Sequence, residues 1–498
     1  MSRTGIARCV VLVALAVAPM ARAADYWAYT YKDFEVMAEG SQADALGVGR
    51  RLGALDASLR TLLRLANGAS EPPTRVYALP LSEMAGLDAV WSSQGGAFFR
   101  ASPFDDYLVV NSDAAAGVQD VSAERARALL ASWGLARLPD WYRHGIAQLM
   151  ATASFDHDQL IIGQDLADQS GRLARGWIPL VEFLQLPASD PVLHKSPETE
   201  ALYEAQCWWL VHLSLLDGVL DKVMPQYLQR LLIGESQESA YAATFGVDVE
   251  QLDEYFKRLK RSIKLRQHSY PLPDVGAVGS LQRLSDTEVK ARLAELVLVH
   301  DPQSAPGTQM VTDVLAVEPK NEWALLALAR HDLSARRYAK VQDTVQQLVA
   351  LENLSAAGHR ELAMLMSTLA TLKEDGLPGT NGVDPKATRA GARAQFHRAM
   401  ELEPNDPRAP YQLGWLLCAQ GDVAGARELL PTVEAAFYRR PESAELAELL
   451  VRMHTIAGNI ADVFKYAVAE QRLAATDAER MRAAARVERL RTQLKASQ

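Results

Sequence analysis

Cysteine is nearly missing from this chain: there are three among 498 residues, Cys9, Cys207 and Cys418. Cys207 and Cys418 stand far apart, each in an apolar helical stretch, so two buried free thiols are expected and a disulfide framework is excluded. Positive charge is in short supply too, with 52 Lys and Arg against 61 Asp and Glu and a net charge of −9. That balance argues against non-specific nucleic-acid binding and against an anionic membrane surface. Long apolar runs are lacking: Cys9 to Val17 is too short for a span, which takes about 20 residues. Histidines at metal-ligand spacing are lacking as well. His157 sits in the turn-like stretch Phe155–Asp158, His194 in a Pro-rich loop from Pro187 to Pro197, and His212 on an apolar helix, where it reads as a satisfied core residue. None of the three has a second His or Cys at a spacing that grips one ion.

What is present begins with a leader. Arg3 and Arg8 precede the apolar core, and Ala21-Arg22-Ala23 fits small-x-small cleavage, so residues 1–23 read as a secretory signal. Cys9 opens the core instead of following it, which is the wrong place for a lipidated cysteine. Losing the leader's three arginines lowers the net charge from −9 to −12. The mature chain is nearly half apolar and rich in Ala, Leu and Arg, enough for several cores and mostly helix.

Residues 24–120 mix strand and helix signals. Phe34–Met37, Arg75–Pro80 and Tyr107–Asn111 read as strands, and Ala43–Leu65 carries helical periodicity through Leu52, Leu55, Leu59 and Leu62. Residues 121–265 read as helical. Ser122 is the expected N-cap of a helix over 122–133, with Glu124 in its first turn. Helices follow over 140–153, from Tyr203 through His212, and over 226–232, 238–245 and 249–259. Residues 266–283, with two Pro and two Gly between Gln267 and Ser280, are expected to be a linker.

From 284 to 475 the pattern becomes periodic. Ala392-x-x-x-Phe396-x-x-Ala399, closed by Pro404, interlocks small and large residues between paired helices. Leu413-Gly414 with Gly421 and Ala426, Trp323-x-x-Leu326-Ala327 with Ala339, and Leu446 through Leu450 to Gly458 repeat the theme. Ser285 and Glu288 form a capping box at the start of a further unit, and Pro319 closes it. Lys373–Pro385 is an insertion within one pair. These motifs resemble tetratricopeptide (TPR) repeats, which stack as helical hairpins around a concave groove. Residues 476–498 read as a polar capping helix.

Two further stretches carry a second resemblance. Ala123-Glu124-Arg125-Ala126-Arg127 precedes Leu138-Pro139-Asp140-Trp141-Tyr142-Arg143-His144-Gly145-Ile146-Ala147. This resembles the peptidase MA-like group of gluzincin zinc peptidases over 24–265. That family carries His-Glu-x-x-His on one helix and a ligand Glu on the next, in a context close to L-P-x-W-x-x-E-G-x-A. The frame Pro139, Trp141, Gly145 and Ala147 is kept. Ala123 falls at the first His, Arg127 at the second, His144 at the ligand Glu, and Glu124 at the catalytic Glu. Alanine has no donor atom, and arginine stays protonated and repels a dication. The resemblance therefore implies a relict site, lined by Ala123, Glu124, Arg127, Trp141 and His144, with no metal and no cofactor. Arg127 is expected to form a buried ion pair or hydrogen bond with Glu124 or His144 where zinc stood.

The expected fold class is an α+β zincin-like domain followed by an all-α TPR superhelix. The expected function is that of an exported, periplasmic pseudopeptidase acting as a binding scaffold, with a protein or peptide partner held by the groove and the relict cleft. Two alternatives stand beside it. One is an active metallopeptidase with an unorthodox ligand set such as His144, His157 and an acid. The other is a plain TPR adaptor whose first half is a spacer.

Overall fold

The computed structural model describes residues 25–31, 34–64, 74–87, 97–101, 106–112, 117–132, 135, 138–165, 168–187, 190–273, 281–439, 443–474 and 477–496. The leader expected over 1–23 lies outside the described residues.

The chain opens with strands β1 (Tyr26–Tyr31) and β2 (Phe34–Glu39), helix α1 (Gln42–Leu62), β3 (Thr74–Leu79), α2 (Leu81–Leu87), β4 (Ala97–Ala101) and β5 (Asp106–Asn111). Helices α3 (Gly117–Ser132) and α4 (Asp140–Ala151) lead to the hairpin β6 (Ser154–Asp156) and β7 (Gln159–Ile162). Then come α5 (Gln169–Arg175), α6 (Leu180–Phe183), α7 (Pro197–Leu215), α8 (Met224–Leu232), α9 (Gln237–Phe245) and α10 (Val249–Leu259), and the short strands β8 (His268–Pro271) and β9 (Gln282–Arg283).

The main sheet runs β4-β5-β3-β2-β1-β9, with β2, β3 and β5 mutually parallel and the other pairings antiparallel. Every residue of β3 is buried, as befits a central strand covered on both faces. One face carries Phe34, Val36, Val76 and Leu108 into a core shared with α1, α3, α4 and α7. In α1, Gly49 and Gly53 leave room for the tyrosines of β1: a Cβ there would stand 2.6 Å from the Tyr29 hydroxyl and 2.7 Å from Tyr31 Cε1.

Of the expected linker 266–283, residues 274–280 lie outside the described residues, and short strands stand on either side of them. Strand β8 pairs with β7 in a three-stranded sheet, and β9 pairs with β1 at the edge of the main sheet. Backbone hydrogen bonding across distant sequence holds both, and such pairing leaves no local periodicity to read. Strands β1 and β4 also lie outside the strand segments read from the sequence.

The remainder is helical pairs: α11 (Asp286–His300) with α12 (Ala305–Val317), α13 (Glu322–Ser334) with α14 (Tyr338–Val349), and α15 (Ala356–Glu374) with α16 (Pro385–Leu402). Next come α17 (Arg408–Gln420) with α18 (Val423–Arg439), α19 (Ala444–Ala457) with α20 (Ile460–Leu473), and a last helix α21 (Asp477–Ala496) on α20. The Ser285–Glu288 capping box at α11 has both of its bonds. Partners within each pair touch, and so do α11 with α13, α13 with α15, α15 with α17 and α17 with α19. First helices thus form an inner layer and second helices an outer one, as in a stack of helical hairpins.

The two halves share a core. The second face of the sheet, with Tyr26, Met37, Tyr77, Leu79 and Val109, packs on Met84 and Leu87 of α2 and on Leu293, Leu296 and Val297 of α11. The first helix of the array is therefore also the lid of the sheet.

Candidate functional site

Helices α3 and α4 pack together, and α4 packs on α7. Helix α3 begins at Gly117, so Ser122 lies inside it, buried, and is no N-cap. Its inward face is held by Arg125, whose Nε and Nη2 donate to the two Asp56 oxygens at 3.1 and 2.7 Å while Nη1 donates to Thr74 at 3.1 Å. This bidentate pair ties α3 to α1 and β3 through a buried charge.

The opposite side of α3 carries the relict positions. Ala123 and Glu124 are half-buried and Arg127 is exposed. Arg127 pairs with Glu124 one turn earlier, and the two side chains are 41% and 39% exposed. The expected buried pair is thus a solvated one, because the long arginine reaches water where a histidine would point at an ion.

On α4, Trp141 is buried, with ring contacts to Tyr142 at 5.4 Å and Phe183 at 5.9 Å. His144 is half-buried. Its Nε2 lies 3.6 Å from Glu204 Oε1 on α7 and 3.4 Å from Gln148 Nε2, and its ring lies 6.0 Å from Tyr203. His144 therefore takes its partners from α4 and α7, and Arg127 is not among them. Gly145 marks the crossing of these helices: a Cβ there would stand 2.4 Å from the Cys207 carbonyl oxygen and 2.6 Å from Val211 Cγ2. The Trp/Gly frame read from the sequence is a packing device at this level.

His157, His194 and His212 have other surroundings. His157 stands in the β6–β7 turn at φ 49°, its side chain 96% exposed. His194 faces Glu200 at 3.4 Å. His212 is fully buried between Asp217, 2.6 Å from its Nδ1, and the Gly163 carbonyl, 3.2 Å from its Nε2. Among the described residues no group of three or more His, Cys, Asp or Glu is placed to hold a metal ion. Cys207 and Cys418 are free thiols. Burial pushes the Cys207 thiol well up, and the half-buried Cys418 up to about 11.

The inner layer of the array shows what sequence reading missed. Arg75 of β3 reaches into it. Its Nη1 donates to Glu295 Oε1 of α11 at 2.8 Å, and Arg330 of α13 donates to the same oxygen at 2.8 Å. Arg330 also pairs with Glu361 of α15. The Tyr107 hydroxyl donates to Glu295 at 3.3 Å, and the Arg75 guanidinium lies 4.6 Å from the Trp323 ring centroid. Glu295 is fully buried and Arg75 only 5% exposed. Burial alone would depress the Arg330 guanidinium; its anionic surroundings, Glu361 foremost, outweigh that and raise it. The sheet thus occupies the near end of the concave face through a chain of alternating charges. The signal available was a single Arg in the strand Arg75-Val76-Tyr77, on the side that alternation gives to Tyr77 and Leu79.

Toward the other end of that face, Tyr411 and Trp415 are half-buried and Arg452 is exposed. Arg330 precedes the left-handed residue Arg336 by the same six positions as Trp415 precedes Gly421 and Arg452 precedes Gly458. The three therefore occupy equivalent places on the inner helices α13, α17 and α19. Around Trp415, Tyr411 packs edge-on at 6.2 Å, the Arg452 guanidinium lies 4.5 Å from the ring centroid, and Glu448 accepts from Arg452 at 2.9 Å.

No protein-family model matches the chain, and no curated protein matches it. Solved structures similar to it include YrrB, a TPR protein with an unusual peptide-binding site, at 15% identity over 40% of this chain and 91% of that one, with a TM-score of 0.31. TTC0263, a thermophilic TPR protein of Thermus thermophilus, is 18% identical over 40% of this chain and 97% of that one, with a TM-score of 0.29. PilW, a type IV pilus biogenesis factor, is 18% identical over 43% of this chain and 94% of that one, with a TM-score of 0.30.

Proposed function

We propose that this chain is a non-catalytic binding scaffold, exported to the bacterial periplasm, that grips a peptide or a helix of a partner protein. The observation that carries this reading is the inner surface of α17 and α19. Tyr411, Trp415 and Arg452 stand there at half-buried to exposed positions, the residue types that dominate binding energy at interfaces. The near end of the same face is filled by the chain's own sheet, so the partner's share is confined to the far end.

The first half, in this proposal, is a pseudopeptidase. Positions 123 and 127 offer no metal donor, and Glu124 is engaged with Arg127. The strand β4 is an edge of the main sheet and touches α3, so an extended peptide can add to it beside the relict cleft without being cut.

The test is selection of peptides from a random display library on the full chain, followed by affinity measurement. Binders are expected to weaken at least tenfold with Trp415→Ala and with Arg452→Ala. Binders indifferent to both substitutions would remove the array surface from the proposal.

A further inference from the structure

A cavity of about 280 Å³ opens where the three parallel strands end. Glu39 at the end of β2, Pro80 just past β3 and Asn111 at the end of β5 all line it, and α1 forms its opposite wall. The carboxyl ends of parallel strands are where open α/β sheets hold ligands. The volume is at the small end for ligand pockets, the scale of a metabolite and not of a folded partner.

Its walls divide by chemistry. Val48, Leu52, Pro80 and Val110 are apolar. Arg51 supplies a half-buried guanidinium that forms no hydrogen bond or ion pair among the described residues; Asp44 acts on it only through space. Burial lowers Arg51 from its ordinary value, with Asp44 pulling the other way. An arginine left unpaired in a half-buried place has desolvation to recover and five donors in a planar fork for doing so. Asp44 is fixed by the α1 cap, where the Ser41 backbone N–H and hydroxyl donate to its Oδ2 at 3.1 and 2.6 Å. Its Oδ1 makes no such bond to the cap. Glu39 adds a second carboxylate.

One cation and two carboxylates around an apolar pocket do not suit a phosphate, which the two acids would repel. They suit a molecule that carries a carboxylate and an ammonium on adjoining atoms. We infer that this cavity binds a free aliphatic α-amino acid, with Arg51 on its carboxylate, Asp44 and Glu39 on its ammonium, and the apolar wall around its side chain. The inference stands apart from the scaffold reading, since the cavity lies on the strand ends of the sheet and not on the inner face of the array.

Calorimetric titration of the full chain with L-leucine and L-valine tests it, beside N-acetyl-leucine and leucinamide. The expected result is one site for the free amino acids, weakened at least tenfold by blocking either head group. Arg51→Met is expected to weaken it at least tenfold with unchanged circular dichroism, and Arg51→Lys to restore part of it. Absence of binding up to millimolar amino acid would overturn the inference. So would binding that survives Arg51→Met, or N-acetyl-leucine binding as tightly as leucine.

Discussion

The two halves of this molecule bury charge in opposite ways. In the sheet-bearing half, Arg125 meets Asp56 across distant sequence within a single core. In the array, Glu295, Arg330 and Glu361 lie on successive inner helices, and the chain of charges is completed only when Arg75 enters from the sheet. The first arrangement makes a core; the second makes a junction. What the difference teaches is that the near end of the array is not a vacant groove. It is an interface already used, and the proposed partner is confined to its far end.

This contrast can be broken most forcefully at Glu295. Glu295→Ala leaves Arg75 and Arg330 facing each other in a buried place, and a loss of about 3–5 kcal/mol is expected. Urea unfolding should record it, and hydrogen exchange should rise in β3, α11 and α13 together. Exchange confined to α11 would contradict a junction spanning both halves. Within the first half, Gly145→Ala presses a methyl against the Cys207 carbonyl oxygen and should cost about 1–3 kcal/mol, the range for overpacking. Thermal unfolding checks it; a neutral result would mean that α4 and α7 separate freely.

At the entrance to the array, Ser285→Ala removes the capping-box hydroxyl of α11, worth about 1 kcal/mol. Because α11 also roofs the sheet, the loss should appear in the unfolding of both halves. The smallest effect belongs to the relict helix: Arg127→Ala should change stability by less than about 0.5 kcal/mol, since its ion pair is solvated. A loss several times larger would show that Arg127 supports the cleft after all.

The same contrast explains what could be read from the sequence. Helical hairpins repeat locally, so Ala392, Phe396 and Ala399, Leu413 and Gly414, and the Ser285 cap announced the array, and each sits where its pattern required. The parallel strands β2, β3 and β5 were visible in their apolar runs. Strands β8 and β9 were not, because each is short and paired to a strand more than a hundred residues away. The Trp/Gly frame was legible as a pattern, but its physical content, a close crossing of α4 on α7, emerges only in the fold. Arg75 was read only as part of a strand, since a buried arginine is intelligible only beside the acid that neutralises it. Arg51 shows the converse: nothing in a sequence marks a charge that has no ion-pair partner among the described residues.

Central to the proposed function is a cleft between α3 and α4 that holds and does not hydrolyse. Metal analysis of the purified full chain, coupled to casein hydrolysis with and without chelator, addresses it directly. The expected result is zinc far below one per chain and no chelator-sensitive cleavage. One zinc per chain together with cleavage abolished by chelator would contradict it.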